Sequence, residues 1–205
     1  MNRIFVGFMI CFLFLNCDKK EKSTFTKNKP YIISKEKNRQ IKNGDTTPPP
    51  PIPGFLVYGT NTFIIDSDSK IYYFKRGDVG HICGNWAKED TIPYYINLHP
   101  RDLIEVQKDS ISEFVKSNYT DNFRNLTFVS SKLDTLKSES FYELITALEL
   151  SLKDRDFYYM RRTTQEEDTV LKYKKTNTYY NSEQIKWDEN RITFPLIKPK
   201  LEKKN

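Results

Sequence analysis

The chain has 205 residues and a formal net charge of +6, enough length for one domain of ordinary size plus tails. Residues 17–54 carry nine basic against four acidic side chains and residues 198–205 four against one, while residues 55–197 hold 19 basic and 22 acidic, which disfavours a central basic groove and leaves no nucleic-acid partner expected. Thirteen tyrosines and 14 phenylalanines supply a core, and the two alanines, Ala87 and Ala147, argue against an alanine-rich helical bundle and towards strands.

Met1-Asn2-Arg3 begins the sequence with one positive charge, and residues 4–15 follow as an unbroken apolar run of twelve. A helix that spans a bilayer needs about 20 such residues, so residues 1–16 read as a signal peptide. Residues 17–54 read as a flexible tether. Its first part is rich in Lys and Asn, with little apolar periodicity beyond Tyr31-Ile32-Ile33, a composition that cannot bury a core. "TTPPPPIPG", at 46–54, is a polyproline II spacer, extended at about 3.1 Å per residue.

The stretch "FLFLNCDKKEK", at 12–22, ends the apolar run at a cysteine and turns at once to charge. The short positive start, the run and this cysteine resemble bacterial lipoproteins, and the chain resembles small lipoproteins of the Bacteroidota type. The resemblance covers the first 17 residues or so. It implies a diacylglycerol thioether on Cys17, with the signal cut just before it. It also implies a place in the bacterial cell envelope, at the inner or outer membrane, periplasmic or surface-exposed. The membrane would be held through acyl chains on Cys17, since two or more chains anchor stably where one does not. A Lys-rich tail beside anionic lipid suits the same location.

Residues 55–197 are expected to form a single α+β domain, followed by a basic tail at 198–205. Phe63-Ile64-Ile65 and Ile71-Tyr72-Tyr73-Phe74 flank Asp66-Ser67-Asp68-Ser69 and predict a β-hairpin. Pro93 and Pro100 break the next stretch, and residues 103–106 suggest a short strand. Ser110 with Glu113 matches a capping box ahead of Ile111, Phe114, Val115 and Tyr119 on one helical face. "LTFVSS", at 126–131, reads as a strand. Ser140 with Glu143 makes a second capping box before Phe141, Leu144, Ile145, Leu148 and Leu152, the clearest amphipathic pattern in the chain. Residues 157–163 and 169–175 read as a hairpin around "TQEED", and 185–196 as one more strand. The order predicts a largely antiparallel sheet with two amphipathic helices on one face.

Three cysteines occur. Cys11 leaves with the signal and Cys17 is acylated on this reading, so Cys83 stands alone and no intrachain disulfide is expected. "GHICGNW", at 80–86, puts His81 and Cys83 two apart, on one face if the stretch is a strand. A thiol with a nearby imidazole can serve as nucleophile and base, which makes Cys83, His81 and His99 the catalytic candidates. The same three residues lack an identifiable fourth ligand for a closed zinc site. A lone cysteine in an aromatic-rich domain is most often a small buried apolar residue. "RRTTQEED", at 161–168, gathers Arg161, Arg162, Glu166, Glu167 and Asp168. Paired carboxylates can do acid/base work, but the favoured reading is a solvated hairpin tip with compensating charges. No phosphate-binding glycine loop, serine-hydrolase elbow or paired-histidine motif is present. No metal or cofactor is expected. The reading that follows is a lipid-anchored, non-catalytic interaction module with a protein partner. The alternatives are a toxin-immunity lipoprotein and an envelope enzyme using Cys83 with a histidine.

Overall fold

A computed structural model of the chain describes residues 29–35, 61–76, 92–118, 127–151 and 158–194. The signal segment, Cys17, the proline spacer, the "GHICGNW" stretch and the basic tail lie outside the described residues.

The class is α+β, as the sequence predicts. The predicted hairpin is the centre of the fold. Strand β2 (Asn61–Ile65) pairs antiparallel with β3 (Ile71–Lys75), Phe63 opposite Tyr73 and Ile65 opposite Ile71. Its turn is built by one side chain: Asp66 Oδ1 accepts from the N–H groups of Asp68 and Lys70 at 2.8 and 2.9 Å. Ser69 completes the turn at φ 64°. A short aspartate that bonds the backbone ahead of it is what makes such a turn self-contained.

A third strand, β4 (Ile104–Val106), pairs antiparallel with β3. On the other side of β2 lies β5 (Thr127–Ser131), and outside it β7 (Tyr158–Arg162); both of these pairings are parallel. The sheet order is β4-β3-β2-β5-β7, so strand directions are mixed about the central β2. Residues 29–35 depart from the expected flexible tether: β1 (Tyr31–Ile32) pairs antiparallel with β6 (Thr135–Leu136), and Ile33 is buried in the core.

Parallel strands need a long crossover, and helix α2 (Glu139–Ser151) supplies it between β5 and β7. On its predicted apolar face Phe141, Leu144, Ile145 and Leu148 are fully buried, and Leu152 lies outside the described residues. The predicted cap is displaced. Ser138 Oγ accepts from the Phe141 N–H at 3.2 Å, while Ser140 lies inside the helix and is buried. Helix α1 (Ile111–Asn118) joins α2 on the same face. At its start Ser110 closes a 3-10 turn, its hydroxyl donating to the Gln107 carbonyl, and does not cap the α-helix. Both predicted helices cover one face, over Phe63, Ile65, Tyr73 and Val129.

The second half of the predicted carboxy-terminal hairpin is not a strand. Residues 165–176 form helix α3 (Gln165–Thr176) on the opposite face of the sheet. The reason is local. Thr164 and Glu167 form a reciprocal capping box: the Thr164 hydroxyl accepts from the Glu167 N–H at 3.2 Å, and Glu167 Oε2 accepts from the Thr164 N–H at 2.9 Å. Acidic residues occupy the first turn and Lys174 and Lys175 the last, the arrangement a helix dipole favours. Asn177 at φ 50°, ψ 38° ends the helix in the left-handed region. Val170 and Leu171 pack with Ile64, Tyr72, Phe74, Leu98 and Leu103 in a second core. Hence β2 is buried on both faces, all five residues of it. The expected strand at 185–196 reduces to one parallel bridge, Tyr94 with Thr193, because the residues before it form a 3-10 turn and turns around Asp188 and Asn190.

Candidate functional site

The densest gathering of ionisable groups lies at the head of α3, where β7 ends. "RRTTQEED" is therefore not a solvated hairpin tip: Glu166 and Glu167 are both fully buried. Each is answered by different chemistry. Glu167 receives a bidentate guanidinium from Arg161, Nη1 to Oε2 at 2.7 Å and Nη2 to Oε1 at 2.6 Å, besides its cap bond. Arg161 also lies 5.3 Å from the Phe128 ring centre, and Tyr159 stacks on that ring from β7 at 5.5 Å.

Glu166 points the other way, into the second core. Its Oε2 accepts from the Ile96 N–H at 2.9 Å and its Oε1 from the Leu98 N–H at 2.7 Å. Asn97 between them sits at φ 59°, a conformation that asparagine tolerates and that brings the flanking N–H groups to one carboxylate. Burial pushes the Glu166 carboxyl up to about 7, with Glu167 nearby adding to the rise. The Ile96 and Leu98 bonds and the Arg76 charge act against it.

Aromatic rings fill the space beside this carboxyl. Tyr180 meets Tyr173 at 5.2 Å and His99 at 5.6 Å, both edge-on. Tyr95 meets Trp187 at 5.4 Å and Phe194 at 5.1 Å. The Tyr95 and Tyr180 hydroxyls are raised, first by burial. His99 is thus part of an aromatic cluster. Its backbone N–H is bonded by Asp102 at 2.8 Å, ahead of the 3-10 turn Pro100–Asp102. His81 and Cys83, the other two candidates, lie outside the described residues.

A carboxyl poised near neutrality has the acidity that general acid–base catalysis favours. Glu166, however, has no exposure to solvent, and both oxygens are bonded to backbone. It fastens residues 92–99 to α3. A second fastening stands at the other end of the helix. Lys175 Nζ reaches Asp66 Oδ2 and Asp68 Oδ2, each at 2.7 Å, and ties the hairpin turn to α3. Its ammonium is raised above the ordinary lysine range, first by the bond to Asp66.

An open groove of about 440 Å³ runs between the hairpin turn, the end of β4 and the start of α2. Two ion pairs line it, Lys70 with Glu105 at 2.7 Å and Lys108 with Glu139 at 2.6 Å. Among the described residues no group of three or more His, Cys, Asp or Glu side chains is arranged to hold a metal ion. Among them, too, no helix is long and apolar enough to cross a membrane.

Sequence reasoning placed the charges of 161–168 at a surface and missed the bonds from Ile96 and Leu98, nearly seventy positions away. One signal was present: Thr164-Gln165-Glu166-Glu167 has the capping-box form read at Ser110 and Ser140. Comparison with protein-family models, with curated proteins and with solved structures finds no match to this chain.

Proposed function

We propose that this chain is a lipid-anchored protein of a bacterial cell envelope whose folded region is a binding module for a protein partner. The observation that carries the reading is the apolar run at residues 4–15, ended by Cys17 and followed by charge and then by the proline spacer. Acyl chains on Cys17 would hold the membrane, and the spacer would stand the domain off it. The described region fits a binding role. Its buried carboxylates are occupied, Glu167 by Arg161, Glu166 by backbone and Asp66 by the half-buried Lys175. Its surface offers the charge-lined groove and, outside the groove lining, Tyr159 and Tyr179, exposed at 43% and 84%. Tyrosine suits such a surface because it gives contact area at low entropic cost.

The test is the intact mass of the protein from its native membrane, beside a Cys17→Ser variant. The expected mass begins at Cys17 and carries acyl chains, and Cys17→Ser leaves the membrane fraction. A mass that begins elsewhere and carries no lipid would overturn the anchor and, with it, the envelope location. Crosslinking of the anchored protein in intact cells then addresses the partner: a discrete adduct lost on mutation of groove residues supports the binding role.

A further inference from the structure

Residues 29–35 are fastened to the domain by more than the pairing of β1 with β6. The Ile33 N–H donates to the Asp134 carbonyl at 2.9 Å. The Asp134 carboxylate accepts from the Ser34 N–H at 3.1 Å and from the Ser34 hydroxyl at 2.8 Å. The Tyr142 hydroxyl donates to the Lys29 carbonyl at 3.0 Å, and the Tyr31 ring lies 6.0 Å from that of Phe141. This clasp sets a length. Residues 18–28, eleven in number, lie between Cys17 and Lys29, and a chain of that length reaches at most about 40 Å. The proline spacer comes after the clasp, between β1 and β2, so it adds reach only to a chain whose β1 is undocked.

The exposed side chains around the clasp are mostly basic. Lys29 and Lys35 flank β1, Lys132 precedes β6 and Lys137 follows it, and all four are exposed. Arg162, exposed at the end of β7, brings its guanidinium to 3.6 Å from the Asp134 carboxylate. Asp134, the acid at this corner, is thus answered by Ser34 and by Arg162. Leu133 stands beside Lys132, 40% exposed.

We propose that this corner is the face the domain turns to the bilayer, with Lys29, Lys35, Lys132 and Lys137 on anionic headgroups and Leu133 set between them. The orientation rests on Cys17 as the anchor. Acyl chains there place the bilayer within eleven residues of Lys29, and the clasp then presents the β1–β6 corner before any other part of the fold. Charge holds it in place. Each lysine near an anionic surface is attracted to it, and the attraction fades within a Debye length. A leucine among lysine stems suits the boundary, because the apolar groups enter while the ammonium groups stay in water.

The test is energy transfer from one fluorophore on the domain to acceptor-labelled headgroups, with the chain isolated from its membrane and placed in phosphatidylglycerol-rich vesicles. Cys83→Ser removes the other thiol, and Thr135→Cys or Leu150→Cys carries the label. Thr135 is exposed at the corner, whereas Leu150, 76% exposed, lies near the far end of α2, about 17 Å along its axis from the first residue. Transfer from position 135 is expected to exceed that from position 150, and Lys132→Glu with Lys137→Glu is expected to abolish the excess while the protein still floats with the vesicles. Equal transfer from the two positions, or an excess that the double variant keeps, overturns the orientation and leaves the anchor standing. Release of the protein from the vesicles in about 1 M salt, where surface charge is screened, removes the anchor instead. The corner is then read from binding at low salt to anionic vesicles: a loss on the order of tenfold or more in the double variant supports it, and unchanged binding overturns it.

Discussion

Arg161 and Glu167 are the most tightly answered pair among the described charges, with side chains 11% and 0% exposed. Removing one partner leaves the other buried and uncompensated, which costs about 3–5 kcal/mol. Arg161→Met is therefore expected to lower the urea midpoint by a stability loss of that order. Arg161→Met combined with Glu167→Gln is expected to lose less than the two single changes added, because the pair is coupled. Glu166 gives a pH dependence of definite sign. Its folded value, about 7, lies above its ordinary value of 4.5. The stability it contributes is fully present below about pH 4.5 and is lost as pH rises through 7. Thermal melts of the native chain should thus fall between these limits relative to those of Glu166→Gln, whose amide does not titrate.

At the scale of elements, helix α3 stands on its two ends. Thr164→Ala removes the hydroxyl that caps the Glu167 N–H and is expected to cost about 1–2 kcal/mol in chemical denaturation. Asn177 already sits where glycine is favoured, so Asn177→Gly is expected to be neutral or slightly stabilising and Asn177→Val to cost about 1 kcal/mol or more. In α2, Leu148→Ala opens a cavity under a helix that faces the sheet and should cost about 2–5 kcal/mol. Elements marked by dense β-branched and aromatic runs, or by a helical apolar face, were legible in the sequence: the hairpin of β2 and β3, strand β5 and the buried face of α2 all lie where their patterns put them. Helix α3 was not. "TVLKYKK" opens with a β-branched pair and sets a tyrosine among lysines, which passes for a strand, and the adjacent Val170 and Leu171, the buried apolar residues of α3, are too few to show a 3.6-residue period. Glu166 was read as a surface charge because its partners are backbone groups of residues 96 and 98, and backbone donors leave no mark in a sequence.

The whole molecule depends on residues far apart in the chain. Strand β5 takes β2 on one side and β7 on the other, and α3 covers the face that β2 and β3 leave open. Ending the chain after α2 would strip β5 of its outer neighbour and uncover Ile64, Tyr72 and Phe74. Such a truncated chain is expected to lose cooperative thermal unfolding altogether; a sharp melt in it would show that β7 and α3 are dispensable to the core. Conversely, Lys175→Met frees the hairpin turn from α3 and should loosen that corner, read as faster exchange at the Lys70 amide, with the sheet intact.

The placement of β2 at the centre of the sheet has a consequence in time. It is among the first strands to be synthesised, yet its second neighbour, β5, lies 66 positions later, as the bond from Ser131 Oγ to the Ile65 carbonyl spans. The hairpin of β2 and β3 can form early and alone, but a two-stranded hairpin is marginal in water. Contacts of such separation close slowly because the loop entropy comes before the reward. A nascent chain therefore passes through a period in which its central strand is made but unfinished. During that period the open edges of the hairpin are exposed to pairing with another chain.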